Sequence, residues 1–319
     1  MTDTPASPAR VNRRTLDYNP YAYDNPRLRA LVEQGEFGRG LQTSYMREAC
    51  REVLPHRWHH QTGFRPAVVS PDEDRAAELI IDALAGSPSE RSLDAVLQTL
   101  FTTTAEALLR RGRTYYEITY THAPEHLADE TPSGFRLLPI PLGTVHRRHG
   151  RLVQYVPASI AIRRTRRNIG FIDLEHCSLA VFEVDETLRR QIRSAAVALA
   201  NHDAFTATLE PDAQRTAGAE ITTATAAIGW NGRVEPLWKG QLVPYQVWRS
   251  LELLTFKIKL REAILICLNS ALTEAGLALD LPMKLELHDV TTIDEVHEAQ
   301  RDLVEGRRNL NELSLWAVQ

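Results

Sequence analysis

The sequence predicts an α+β fold: helices packed on a small antiparallel sheet, followed by long helices in the C-terminal half. Three observations predict it. Residues 70 to 112 set apolar positions at helical spacing between start and stop signals. Residues 113 to 183 break into short β-forming runs separated by Gly, Pro and charged turns. From residue 186 the apolar spacing is helical again. Helices and strands that segregate along the chain in this way point to α+β rather than to alternating βα units.

The composition sets outer bounds. A chain of 319 residues can bury a core without disulfides, as one large domain or two smaller ones. Its 43% hydrophobic and 24% charged content is that of an ordinary soluble protein. Lys+Arg number 37 against Asp+Glu 41, so no global basic field advertises nucleic-acid affinity and any such contact has to be local. Cys50, Cys177 and Cys267 are scattered and lack Cys-x-x-Cys spacing, which suits a reducing compartment and argues against a zinc cluster. No uninterrupted apolar run approaches the roughly 18 to 20 residues needed to span a bilayer. The N-terminus has no hydrophobic segment after its charges, so a cytoplasmic protein without membrane association is expected.

Residues 1 to 26 are rich in Pro, Asn, Arg and Tyr without periodicity and read as a flexible arm. Leu28 to Val32 and Leu41 to Val53 read as helical. In "SPDEDRAAELIIDALAG", Ser70 can cap a helix, Pro71 fits its first position, Glu73 completes a capping box and Gly86 supplies the stop. The next helix begins near Ser89, holds Leu93, Val96, Leu97, Leu100, Phe101 and Leu108 at helical spacing, and stops at Gly112. Strands are expected in "TYYEITY", "GFRLLPIPL", "RLVQYVP", "SIAIRR" and "NIGFIDL". In the first of these, Tyr115, Glu117 and Thr119 share one face, and Tyr116, Ile118 and Tyr120 the other. Glu117 so placed is either a solvated residue or a catalytic acid. Residues 186 to 201 return to helix, residues 206 to 243 show little periodicity, and a long helix runs from Pro244 to Gly276. "MKLELHDV" is a strand; Thr292 with Glu295 forms a capping box whose helix ends at Gly306, and Asn309 with Glu312 starts a last turn.

Several constellations invite a chemical reading. "HAPEH" matches H-x-x-E-H, in which two histidines one helical turn apart bind zinc and the glutamate activates water. Pro124 inside it and the polar loop after it argue for a solvated loop instead. "HRWHH", His56 to His60, has no ligand cluster beside it, and "EHCS" puts Cys177 in a buried structural role. No phosphate-cradling glycine motif and no nucleophile elbow occurs. The basic runs "HRRHGR" at His146 to Arg151 and "RRTRR", with Arg163, Arg164, Arg166 and Arg167, lie at sheet turns. They are solvated hairpin ends or a basic rim for phosphate or an acidic partner chain.

Taken in order, "ALLRRGRTYYEITYTH", "GFRLLPIPLGTV" and "GRLVQYV" resemble the wing domain of tailed-bacteriophage portal proteins, the head-tail connectors. The matching features are a helix ending in Gly112, Tyr116 with Glu117 and Ile118, the segment Leu137 to Pro141, and Gly150 with Tyr155. "SPDEDRAAELIIDALAG" is similar to the first wing helices of Mu-type portals, and Gly306, Asn311 and Glu312 to the portal ending, so the resemblance covers about Ser70 to Leu313. It implies a wing-like α+β domain over 27–185, a stem and clip-like segment over 186–243, and a channel helix with a strand-helix region over 244–319. It also implies a dodecameric ring at the capsid vertex, located in the virion and, during assembly, in the host cytoplasm. Terminase would pump double-stranded DNA through that ring without sequence preference. The major capsid protein and head-tail adaptors would be further partners, with no cofactor and no enzymatic activity. Glu117 and the tyrosines would then be packing residues of the wing sheet. Arg189 with Arg193, and Lys257 with Arg261, each one helical turn apart, would line the channel and touch phosphates. The chain is short for that family and leaves little room for a crown after Gly276, which suits a reduced portal or a portal-derived protein. The alternatives are a metal-dependent hydrolase using His122, Glu125 and His126, and a non-viral α+β scaffold protein.

Overall fold

In a computed structural model of the chain, the described residues are 53–55, 63–85, 92–121, 132–140, 144–155, 171–195, 223, 225, 228–229 and 243–308. The expected N-terminal arm and helices before residue 53, the run 159–164 and the turn at Asn309 lie outside them.

Strand β1, Arg65–Val69, precedes helix α1, Glu73–Leu84. The helix begins two residues after the predicted position, because Asp72 and not Ser70 is the cap: its carboxylate accepts from the N–H of Arg75 at 3.1 Å. Ser70 Oγ accepts from the N–H of Asp72 at 3.4 Å, one step upstream. Helix α2, Leu93–Arg111, is capped by Ser92, and Gly112 closes it in the left-handed region at φ 72°, as its position predicts. Val96, Leu97, Leu100, Phe101, Ala105 and Leu108 make its buried face.

Strand β2, Arg113–Thr121, follows without a loop. Instead of one small sheet, the strands form three, all paired antiparallel. β2 is the central strand of the first, between β3, Gly134–Ile140, and β7, Leu179–Glu183. Pro139, which cannot donate to a ladder, is tolerated because β3 is an edge. The second sheet is β4, Val145–Arg148; β5, Arg151–Tyr155; and β6, Phe171–Asp173. The third joins β1 to β8, Lys284–His288. The sequence does not announce β1 or β7. "RPAVV" is short and holds a proline, and its partner lies over two hundred residues away.

The alternation in β2 separates two cores. Tyr116 and Ile118 face the main one, where the Tyr116 hydroxyl and Thr104 Oγ1 of α2 lie 2.8 Å apart and the Tyr116 and Phe182 rings tilt together at 5.0 Å. Tyr115 faces a smaller cluster with Ile140, Leu174 and Cys177, shared with the second sheet. Glu117 stands on that same side, opposite Leu138 and Leu179, and is 1% exposed. It is therefore not a solvated residue.

Residues 186–195 form helix α3, with Leu188, Ile192 and Ala195 buried as the spacing predicts and the Asp185 carboxylate accepting from the N–H of Leu188 at 2.6 Å. Helix α4, Val243–Leu279, has 37 residues and passes Gly276. The left-handed residue at its end is Asp280, φ 52°. Gly276 has a different function: a Cβ there would lie 2.6 Å from the Leu281 carbonyl oxygen and 3.2 Å from the Met283 nitrogen, so the returning chain can cross only over a glycine. By length and composition the part of α4 from Val247 to Leu279 is apolar enough to cross a membrane. Part of that apolar content packs inside the protein, 39% of its most apolar stretch being buried. Ile264, Leu268, Leu272 and Ala275 enter the main core, while Val247, Leu251 and Ile258 meet Val296 and Ala299 of helix α5, Ile293–Glu305. Helix α5 has the full capping box of Thr292 and Glu295 and the Gly306 cap that its sequence predicts. The main core draws on α1, α2, β2, β3, β7, α3, α4 and β8, on both sides of residue 185.

Candidate functional site

The sequence leaves charged helix faces and hairpin ends as the candidates. The motifs "HAPEH" and "HRWHH" and the run Arg163, Arg164, Arg166 and Arg167 lie outside the described residues. "EHCS" is no strand: Leu174–His176 is a 3-10 turn capped by Asp173, and Cys177 behind it is buried, 3.8 Å from the Asp173 carbonyl oxygen. Among the described residues, no three His, Cys, Asp or Glu side chains are grouped so that they could hold a metal ion. Burial pushes the Cys267 thiol up, which keeps it protonated and a poor nucleophile.

The four candidates on helices occupy unequal positions. Arg189 is 18% exposed and held by carboxylates: Nη1 donates to Glu186 at 3.1 Å, and Nη2 lies 3.5 Å from Glu183 and 3.3 Å from the Val184 carbonyl oxygen. Its aliphatic stem covers Gly112, where a Cβ would lie 3.2 Å from Arg189 Cγ. Arg193, one turn on, is exposed. On α4, Lys257 is half-buried, whereas Arg261 is 6% exposed and its guanidinium donates to the Thr291 carbonyl oxygen. Burial lowers the Arg261 pKa, with Glu262 and Glu295 opposing it. Arg261 thus braces the turn into α5 and points away from solvent. The helical spacing that put these residues in pairs could not show which member the neighbouring elements cover.

Three features were not read from the sequence. Asn269 of α4 grips the backbone of β8 with both ends of its amide, its Nδ2 donating to Leu285 O at 2.9 Å and its Oδ1 accepting from Leu285 N–H at 2.8 Å. Gly229, φ 70°, lies against α4 so closely that a Cβ would meet Leu253 N at 2.2 Å. Ile266 and Leu277 are 69% and 76% exposed on one stripe of α4, with Ser270 and Thr273 between them. A hydrophobicity pattern finds the apolar residues of this helix but not which face stays open, because two cores draw on different parts of it.

The β4–β5 hairpin presents "HRRHGR" as the sequence suggests. His146, Arg147, Arg148, His149 and Arg151 are all exposed, and Arg151 pairs with Asp173 of β6 at 3.3 Å.

No protein-family model matches the chain, and no curated protein matches it. Among solved structures it is similar to a chain in the virion of a native gene transfer agent particle, with a TM-score of 0.34 and 13% sequence identity, over 87% of this chain and 88% of that one. A likeness of that size carries no argument about role.

Proposed function

We propose that the chain is a portal-type subunit, which assembles into a ring around double-stranded DNA at a capsid vertex and acts structurally rather than as an enzyme. One observation carries this reading. The segments that resemble the portal wing fall, in order, on consecutive elements of one unit. Gly112 closes α2, Tyr116 to Ile118 occupy the central strand, Leu137 to Ile140 pair with it, and Gly150 and Tyr155 belong to the next hairpin. The exposed Ile266 and Leu277 of α4 supply a second support, since a heterologous ring needs an apolar face that the lone subunit leaves open. Covering each contributes about 1.5–3 kcal/mol per subunit contact.

In this reading the ring meets the major capsid protein, terminase and head-tail adaptors, in the virion and in the host cytoplasm during assembly. Arg193 and Lys257 touch passing phosphates, while Arg189 and Arg261 serve the structure of the subunit. Negative-stain microscopy with light scattering tests it. Closed rings are expected of the unaltered chain, and subunits with unchanged helix content of the double variant Ile266→Lys, Leu277→Lys. Monomer alone at high micromolar concentration, across several salts and with a crowding agent, would overturn it. Where packaging is reconstituted, Arg193→Gln with Lys257→Gln should lower DNA per particle; packaging equal to that of the unaltered chain removes both residues from the channel.

A further inference from the structure

Most of the sheet edges carry a block against further pairing. On β8 the Asn269 amide takes both backbone groups of Leu285, which therefore point away from β1. Val68 stands opposite Leu285, so the outer edge of β1 falls on Val68 and Pro66, and a proline has no N–H to offer there. In the first sheet the N–H of Ile118 bonds Ser178 O and the N–H of Val184 bonds Gly112 O, so the even-numbered residues of β2 turn their backbone groups to β7 and the odd-numbered ones to β3. The register then sets the outer edge of β3 on Phe135, Leu137 and Pro139, the first two buried and the third a proline. In the second sheet β4 bears Arg147 and Arg148, and β6 is only three residues long. Proline, charge, brevity and cover are the devices that keep an edge from pairing with another chain.

Strand β7 has none of them over its first half. By the same alternation its outward backbone groups belong to Leu179, Val181 and Glu183. Helix α4 closes the last, where the Glu183 backbone bonds the Cys267 thiol. Leu179 and Val181 each turn an N–H and a C=O outward, Val181 is 40% exposed, and among the described residues no strand pairs with this edge. Helix α4 runs past it antiparallel to β7, with Cys267 at Glu183 and Glu274 near Tyr120, two residues beyond the Ile118 and Ser178 pair. The exposed stripe of α4, Ile266, Ser270, Thr273 and Leu277, therefore flanks the open edge.

That combination selects the occupant. The stripe carries no charge between Glu262 and Asp280, so a nucleic acid or a strongly charged chain finds no counterpart on it. An extended polypeptide finds main-chain partners at Leu179 and Val181 and an apolar wall at Ile266 and Leu277. In the ring reading that same wall is turned to the neighbouring subunit, so the chain that reaches Ile266 also reaches Val181.

We propose that an extended segment of a second copy of this chain adds to the first sheet as a strand on β7, bonding the backbone of Leu179 and Val181 and laying side chains on Ile266 and Leu277. The proposal rests on the ring reading for the presence of a second copy and supplies the mode of contact.

The test is sedimentation over a range of micromolar concentrations, for the unaltered chain and for Val181→Pro, Val181→Lys and Val304→Lys. Proline at 181 removes an N–H that points away from β2, so the ladder of the subunit keeps its bonds and circular dichroism should not change. The lost bond and the bulk of the ring should raise the concentration of half-assembly by about 10-fold or more. Val181→Lys should do the same and decides the matter if the proline variant unfolds. Val304→Lys, on an exposed valine of α5, should assemble like the unaltered chain. Amide exchange at Val181 should be slow in the assembly and fast in the monomer. Assembly of both Val181 variants at the unaltered concentration overturns the proposal, as does equal weakening by Val304→Lys. Slow exchange at Val181 in the monomer would assign the edge to the chain's own residues, and fast exchange with monomer at every concentration to a foreign strand or to none; both overturn it. The ring reading fails separately: assembly that needs Val181 but does not close keeps the strand and sinks the ring, and closed rings that survive both Val181 variants do the reverse.

Discussion

Replacing Gly276 by Ala reverses the usual effect of that substitution. In an exposed helix interior, Gly→Ala is favourable by about 0.8–1 kcal/mol, from propensity and reduced freedom of the unfolded chain. Gly276 lies inside α4 and the gain is available to it. Against it stands the chain that turns back after Asp280. An added Cβ would be 2.6 Å from Leu281 O, 3.2 Å from Met283 N and 3.4 Å from Leu281 C, all backbone atoms with no side-chain rotamer to yield. The hydrogen bond from Leu281 N–H to Gly276 O, 2.9 Å, holds the two segments at that distance, and Met283 and Leu285 just beyond are buried at 3% and 0%. Overpacking of this kind costs about 1–3 kcal/mol. The net expectation is destabilisation by about 0–2 kcal/mol, read as a midpoint in urea that does not rise and a melting temperature lower by about 2–4 °C per kcal/mol lost. A rise in stability of about 1 kcal/mol would refute the reasoning, because it would mean that the Leu281–Met283 segment moves aside without loss.

Gly229→Ala combines strained φ with backbone overlap at Leu253 N and Arg249 O, so it should lower stability more than Gly276→Ala does in the same urea titration. Asn269→Ala removes both bonds to Leu285, leaving a backbone donor and acceptor unmet; a loss of about 1–3 kcal/mol and faster amide exchange at Leu285 are expected, and unchanged exchange there counts against the role given to Asn269. The Tyr120 phenol is pushed up to about 12, by burial first and then by the Glu274 carboxylate, with Ser178 opposing. A raised pKa stabilises the neutral form in the folded state, so its contribution is complete below the ordinary tyrosine value of about 10 and is lost as pH rises toward 12. Ultraviolet titration should show one late phenol that disappears in Tyr120→Phe, and identical titration of the two proteins would contradict it.

Much of the fold was legible where the signal is local. The stop at Gly112, the box of Thr292 and Glu295 and the stop at Gly306 each satisfy backbone groups within a few residues, so a short stretch specifies them, whereas the start read near Ser89 falls at Ser92. Where tertiary contacts decide, the same signals mislead. Gly276 looks like a stop because glycine usually supplies positive φ, yet it answers a close crossing by residues 281–283, and Asp280 takes the left-handed position. Ser70 loses the cap to Asp72, an equally good acceptor two residues nearer the apolar face. The division of strands into three sheets was not legible, because pairing β1 with β8 is a choice between segments distant in sequence.

The candidate site shows the same boundary from the other side. Charge on a helix face is visible in sequence, but whether a cation is offered to a partner or taken up by its own chain depends on what packs beside it. Arg189 and Arg193 illustrate this, one turn apart on one helix. The first is drawn over Gly112 by Glu183 and Glu186, and the second is left exposed. Arg261 is likewise taken up by its own chain, through the Thr291 carbonyl oxygen at the start of α5. A hairpin tip shares this ambiguity. Arg151 lies past Val153 toward the turn, yet Asp173 of β6, the next strand of the same sheet, takes up its charge at 3.3 Å, so here too the neighbouring element and not the charge pattern decides what a cation does.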